Sequence, residues 1–199
     1  LKRNLRHGQI DGIIYKTRGY SLVMTRTADL LRRLSKEGVL VPQDVKRAML
    51  NVDLEDFTDY DVSPFFADRP VPYIESTSGN IKTNSAPHMI ITLLHHMELS
   101  KGQEVIIVAC KGGYLAALIA QIVGENGRVN VLDPSSEVVN HAKERLSHWP
   151  TVDIRNITVK EERVRILDFV AGLALGKNCT IQKINDEGVY LINPPNSKI

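Results

Sequence analysis

Two points in this sequence have the residue types and placement of a nucleoside site. The first is the turn Ala109-Cys110-Lys111-Gly112-Gly113, which follows the apolar run Glu104–Val108 and precedes a helical pattern from Tyr114 to Val123. A glycine-bearing turn between strand and helix lets the backbone come close to a ligand. The second is Asp133, at the end of the next run, Arg128–Leu132, where a carboxylate can accept from both hydroxyls of a ribose. Lys111-Gly112-Gly113 is not a complete G-x-G-x-x-G. On spacing alone, a hydride-transfer fold, a methyl-transfer fold and a non-binding sheet all fit. A third group, Thr83, Ser85 and His88, stands where Pro87 opens a helix. The bland alternative for these residues is that Ser85, or a residue nearby, caps that helix and His88 packs inside. The same helix end attracts anions, so capping and ligand binding are compatible.

Other candidates are weaker. His95-His96 are adjacent, and adjacent residues on a helix do not share a face, so no metal site is expected. Asn193-Pro194-Pro195-Asn196 follows an apolar run but lacks the aromatic that would stack on a flipped base, and reads as a strand exit. Cys110 and Cys179 make no disulfide framework, which points to a reducing, cytoplasmic setting.

Strands and helices in alternation must position the nucleoside points. Glu104–Val108, Arg128–Leu132 and Val152–Ile157 read as strands, and the first is apolar enough to be buried on both faces. Between them lie helical patterns at Tyr114–Val123 and from Asp133-Pro134-Ser135-Ser136 through Leu146. This alternation predicts βαβ units, a parallel sheet and a ligand crevice beyond the carboxyl ends of the strands. Upstream, a β hairpin is expected in residues 1–25, turning at Thr17-Arg18-Gly19, with Tyr20–Met24 as its second strand. A helix capped by Thr27 should bury Leu30, Leu31 and Leu34 and end at Gly38; a second should run through Val45, Ala48 and Met49. Residues 51–84 read as a long functional loop, and Met89–Met97 as an apolar helix. Lys160–Leu175 has an amphipathic helical pattern, and Cys179–Ile184 with Val189–Ile192 flank a hairpin signal at Asn185–Gly188.

Composition limits the function classes. At 199 residues, 43% hydrophobic and 24% charged, the chain is an ordinary globular sequence. Its apolar runs are too short to span a bilayer, and its opening lacks the apolar core of a signal peptide, so no membrane partner is expected. Charge is uneven: residues 1–50 hold 11 Lys/Arg against 4 Asp/Glu, and residues 51–100 hold 2 against 8. A solvated basic helix beside an acidic loop is the preferred reading; a nucleic-acid-facing N-terminus is the rival.

Thr83-Asn84-Ser85-Ala86-Pro87-His88-Met89 resembles the T-I-S-A-P-H-M signature of the protein-L-isoaspartate O-methyltransferases, with Asn84 for the usual Ile. Asp68-Arg69-Pro70-Val71-Pro72 is similar to the family's D-x-P-L-P, and the likeness extends over about residues 28–157. It implies a Rossmann-like, doubly wound, mostly parallel α/β sheet of the class I methyltransferase type, with N-terminal helices and a C-terminal hairpin. The expected organisation is a β segment at 1–25, helices and loop at 26–84, and the methyltransferase-like core at 85–199. The implied cofactor is S-adenosylmethionine, and the implied partner is a damaged protein or peptide. In the family, the hydroxyl matching Ser85 holds the substrate carboxylate. The resemblance therefore makes Ser85 and Thr83 the catalytic residues and His88 a substrate-binding residue. Ala109, Cys110, Lys111, Gly112, Gly113 and Asp133 fall at its cofactor-binding positions.

The first strand departs from the pattern. The family's acid followed by G-x-G-x-G aligns with Ile107, Ala109, Lys111 and Gly113, so only the last glycine remains. The family's later adenine-contacting Asp aligns near Asn156-Ile157, and the loop at 73–82 is several residues longer than usual. Two alternatives accompany the carboxyl methyltransferase: an inactive binding protein of the same fold, and an RNA-directed methyltransferase using the basic N-terminus.

Overall fold

A computed structural model describes residues 7–10, 13–16, 20–109, 111–157, 180–183 and 190–193. The chain divides into two units, Leu1–Asn156 and Ile157–Ile199.

The first unit opens with antiparallel strands β1 (His7–Ile10) and β2 (Ile13–Lys16). They are separated by Asp11-Gly12, itself a two-residue hairpin signal that the expected turn at 17–19 passed over. Tyr20–Met24 is not a strand. It is the first part of helix α1 (Tyr20–Lys36), so Thr27 lies inside the helix, buried, instead of capping it. The β-prone residues there join the helical repeat that carries Leu30, Leu31 and Leu34 into the core, and packing overrides local propensity. Helix α2 (Gln43–Asn51) buries Val45, Ala48 and Met49.

Residues 51–84 are structured, contrary to the long-loop expectation. A 3-10 turn (Leu54–Phe57) is capped by Asp53, whose side chain accepts from the Glu55 amide. The Asp61 carboxylate accepts from the Ser63 amide at 2.9 Å, at the entry to the short helix α3 (Ser63–Phe66). These local bonds aim Phe57 and Phe65 inward, where each meets the Tyr114 ring edge-to-face at 5.6 and 5.7 Å. Strands β3 (Val71–Glu75) and β4 (Ile81–Asn84) form an antiparallel hairpin whose register shifts between Pro72 and Ile74. The shift falls on Tyr73, whose side chain is buried like that of Val71 two residues before it.

Helix α4 (Pro87–Met97) leads into three parallel strands in the order β5-β6-β7: β5 (Glu104–Val108), β6 (Arg128–Asp133) and β7 (Val152–Asn156). Helices α5 (Tyr114–Val123) and α6 (Ser136–Arg145) are the crossovers. Val105, Val129, Val131 and Ile154 are buried on one face of the sheet. Strand β5 is not buried on both faces: Ile106 and Val108 are 51% and 50% exposed. Among the described residues β5 is an edge strand with one covered face, which restores an alternating pattern to a continuously apolar run. The result is the α/β, Rossmann-like class expected from the sequence.

In the second unit, β8 (Thr180–Lys183) and β9 (Tyr190–Asn193) pair antiparallel, at the two strands of the expected C-terminal hairpin. The expected helix at 160–175 and Pro194-Pro195-Asn196 lie outside the described residues, as does Cys110.

Candidate active site

The turn after β5 keeps a glycine-like backbone with only one of the pattern's three glycines. Ala109, Lys111 and Gly113 all take left-handed φ values, 76°, 49° and 91°. These are the positions matching the glycines of G-x-G-x-G. A non-glycine residue there is held at a cost of roughly 1–2 kcal/mol, so the surroundings impose the shape. Part of the reason is visible at Gly112: a Cβ added there would lie 2.9 Å from Tyr73 Cβ and 3.1 Å from Asn84 Nδ2. The β3–β4 hairpin therefore presses on the turn where only glycine fits. The Ala109 amide donates to the Leu132 carbonyl at 2.9 Å, which pins the turn to the end of β6.

Asp133 ends β6 and is buried at 6% exposure. Its Oδ1 accepts from the Ser135 amide at 2.8 Å, and Asn156 Nδ2 donates to its backbone carbonyl at 3.0 Å. Asn156, near where the family's adenine-contacting acid aligns, thus ties the end of β7 to the end of β6. Helix α6 then starts with Ser135 as its N-cap, accepting from the Val138 amide.

Ser85 does not cap α4, the bland alternative for this residue. Ala86 holds the cap position with no side-chain cap, and Ser85 is engaged elsewhere. Lys111 Nζ donates to Ser85 Oγ at 2.7 Å. The signature segment and the turn after β5, 26 residues apart, meet at this contact. Thr83 is exposed on β4 and paired in register with Pro72. Asn84, between them, is buried at 3% exposure, and its Nδ2 has no hydrogen-bond partner among the described residues.

His88 is not packed inside: its side chain is 43% exposed. Asp68 holds it, accepting from the His88 backbone amide at 2.9 Å and lying 2.7 Å from Nδ1. With the Asp68 carboxylate accepting, Nδ1 is the protonated nitrogen, and Nε2 takes no part in that contact. In the sequence Asp68 stands out only as part of the D-x-P-L-P likeness. Its role at the start of α4 was not legible from the sequence. The signal was the motif lying 20 residues ahead of His88.

A further cavity of about 330 Å³ is lined by Asp59, Tyr60, Tyr73, Ile74, Glu75 and His141. Burial pushes the His141 imidazole below its ordinary pKa, while its Nε2 lies 3.0 Å from the Phe57 carbonyl. At the hairpin tip the Thr77 amide donates to Glu137 at 3.2 Å, and hydrogen bonds from Thr77 hold that carboxyl below its usual range. The His95 and His96 ring centroids lie 5.2 Å apart, with the planes tilted by 45°. Among the described residues, no three His, Cys, Asp or Glu side chains gather where they could share a metal ion.

The profile of the family protein-L-isoaspartate(D-aspartate) O-methyltransferase matches residues 25–163. Protein-L-isoaspartate O-methyltransferases from Ignicoccus hospitalis and Pyrobaculum islandicum are 33% and 29% identical over 132 and 173 residues, or 66% and 82% of this chain. The chain spans 59% of the Ignicoccus protein and 81% of the Pyrobaculum islandicum protein. Among solved structures, one assigned as the protein-L-isoaspartate O-methyltransferase of Plasmodium falciparum, in complex with S-adenosyl-L-homocysteine, has a TM-score of 0.55 at 26% identity. That match covers 69% of this chain and 67% of the other. Taken with the signature at 83–89 and the parallel sheet behind it, the matched span shows that this chain belongs to the protein-L-isoaspartate(D-aspartate) O-methyltransferase family.

Proposed function

We propose that this chain transfers a methyl group from S-adenosylmethionine to the carboxylate of a damaged aspartyl residue in a protein or peptide. The observation that carries the reading is the meeting of Ser85, from the family signature, with the turn 109–113. The residues present fit the nucleoside half of the cofactor. The turn's backbone keeps its left-handed shape, Gly112 leaves it room against Tyr73, and Asp133 is fixed at the end of the neighbouring strand.

When bound, the cofactor supplies an electrophilic methyl group on a sulfonium. The acceptor carboxylate is already ionised at neutral pH, so this chain has no proton to remove. Its residues have to align the carboxylate and keep water away. Ser85 Oγ donates to one carboxylate oxygen. Thr83 lines the approach from β4, and His88, fixed through Nδ1 by Asp68, offers Nε2 to the peptide. Asp133 and the turn hold the nucleoside, with Cys110 among the turn residues of the family pattern. Two reduced cysteines suit a cytoplasmic setting, and no described helix is long and apolar enough to cross a membrane.

A second reading, a binding protein that kept the fold without the cofactor, is favoured by Ile107 and Lys111. The first offers no charge to the cofactor's ammonium and the second sets a cation in the turn. The RNA-directed reading is less supported, because the three arginines of α1 are engaged within the chain. Arg26 lies over the Phe66 ring at 3.9 Å, Arg32 pairs with Asp29, and Arg33 donates to the Phe66 carbonyl.

The test is thermal unfolding with S-adenosylhomocysteine, followed by methyl incorporation into an isoaspartyl peptide. At about 100 times its dissociation constant, the ligand stabilises by roughly 2.7 kcal/mol, a rise on the order of 5–10 °C. Incorporation should fall at least about tenfold in Ser85→Ala, the loss of one charge-assisted hydrogen bond. No shift at millimolar ligand sinks the enzyme reading and leaves the binding protein.

A further inference from the structure

Lys111 stands where the family pattern has a glycine, and its ammonium goes to Ser85. Among the described residues it has no carboxylate within ion-pairing reach and no other hydrogen-bond partner. One of its three N–H donors is used, which leaves two. Ser85 accepts from Lys111, so its own O–H proton is free to donate. Two donors thus sit side by side, 2.7 Å apart between heavy atoms, on a half-buried serine and an exposed lysine. Their natural ligand is one oxyanion taken at both oxygens. The arrangement is held in place: left-handed φ at Lys111 and the close contact of Gly112 with Tyr73 leave the turn little freedom.

We propose that Lys111 and Ser85 together form a carboxylate subsite and that Lys111 is a specificity-determining residue of this chain, selecting an acceptor by its negative charge. The proposal rests on the methyltransferase reading and deepens it. Charge accounting makes the lysine compatible with the cofactor. A bound carboxylate neutralises Lys111, so a sulfonium then approaches a paired site instead of a bare ammonium. Acceptor and S-adenosylmethionine therefore help each other to bind, and the coupling is reciprocal. S-adenosylhomocysteine lacks the sulfonium charge and shows less of this coupling.

The experiment is calorimetric titration of the full chain with an isoaspartyl peptide, its isoasparaginyl counterpart and sodium phosphate, without cofactor. It is repeated in Lys111→Gln and in Lys111→Gly, which restores the family residue and relieves the backbone. Native protein should bind the isoaspartyl peptide at least about tenfold more tightly than the uncharged one, one charge-assisted bond's worth. Both variants should lose that preference. The peptide should tighten S-adenosylmethionine about fivefold or more, and S-adenosylhomocysteine by less.

Equal peptide affinity in native and Lys111→Gln protein overturns the subsite. So does phosphate binding as tight as the peptide's, which means an unselective anion site. If Lys111→Gly instead binds S-adenosylhomocysteine tenfold more tightly with peptide affinity unchanged, Lys111 is a plug, and the proposal fails. Methyl transfer that persists in Lys111→Gln with unchanged acceptor preference removes the subsite and leaves the enzyme reading standing. Lys111-dependent peptide binding in a chain that takes no cofactor does the reverse.

Discussion

Asp68 holds His88 at two points, its backbone amide at 2.9 Å and its Nδ1 at 2.7 Å. One carboxylate thereby caps the start of α4 from 20 residues upstream and fixes the ring orientation of the signature histidine. Asp68 has a left-handed φ of 56°, a conformation that Asn shares easily and Ala does not. Asp68→Asn should cost about 1 kcal/mol, the range of a weakened cap, and Asp68→Ala about 2 kcal/mol or more because backbone strain is added. Urea denaturation of both variants checks the order. Equal losses would mean that the backbone conformation contributes nothing.

Asn84 carries a buried Nδ2 without a partner among the described residues. Replacing it by Ile, the residue of the family signature, removes the unsatisfied donor. The gain is on the order of 1–3 kcal/mol. A melting temperature raised by several degrees is expected. A lower one would show that the larger side chain cannot be accommodated against Gly112.

Ala109 has φ 76°. Glycine there relieves roughly 1–2 kcal/mol of left-handed strain and adds about 0.5–1 kcal/mol of chain entropy to the unfolded state. The strain relief wins, so Ala109→Gly should be more stable by about 0.5–1 kcal/mol. Matched denaturation curves with unchanged slope provide the measurement.

His141 is half-buried, and burial lowers its pKa from the ordinary 6.5. The folded chain therefore holds fewer protons than the unfolded one between the lowered value and 6.5. This histidine's contribution is fully present above pH 6.5 and is lost as pH falls through that window. Denaturation midpoints should decline from pH 7 toward pH 5.5, and less steeply in His141→Gln. Parallel declines in both proteins would assign the effect to other groups.

Periodicity and end signals, which act over a few residues, were enough to read α4, β5, α5, β6, α6 and β7 from the sequence. They also located the turn 109–113 and Asp133 at the carboxyl ends of β5 and β6. The motif at 83–89 pointed to the family, since a short ordered string of side chains survives in the one-dimensional record. The length of α1 was misread because Leu22 and Val23 suit a strand locally, and a helix there is decided by burial farther along. Residues 51–84 read as loop in the sequence because their order comes from single side-chain caps and two aromatic plugs, which leave no period.

The contacts that join the site's parts belong to the tertiary structure alone. Asp68 with His88, and Ser85 with Lys111, are separated by 20 and 26 residues, and no local rule couples positions so far apart. Ile106 and Val108 look like core in the sequence, yet strand order makes them surface. Lys111 is the clearest case. By residue type it argued against a cofactor turn. By position it donates to the signature serine, because the hairpin that presses on Gly112 brings both segments together.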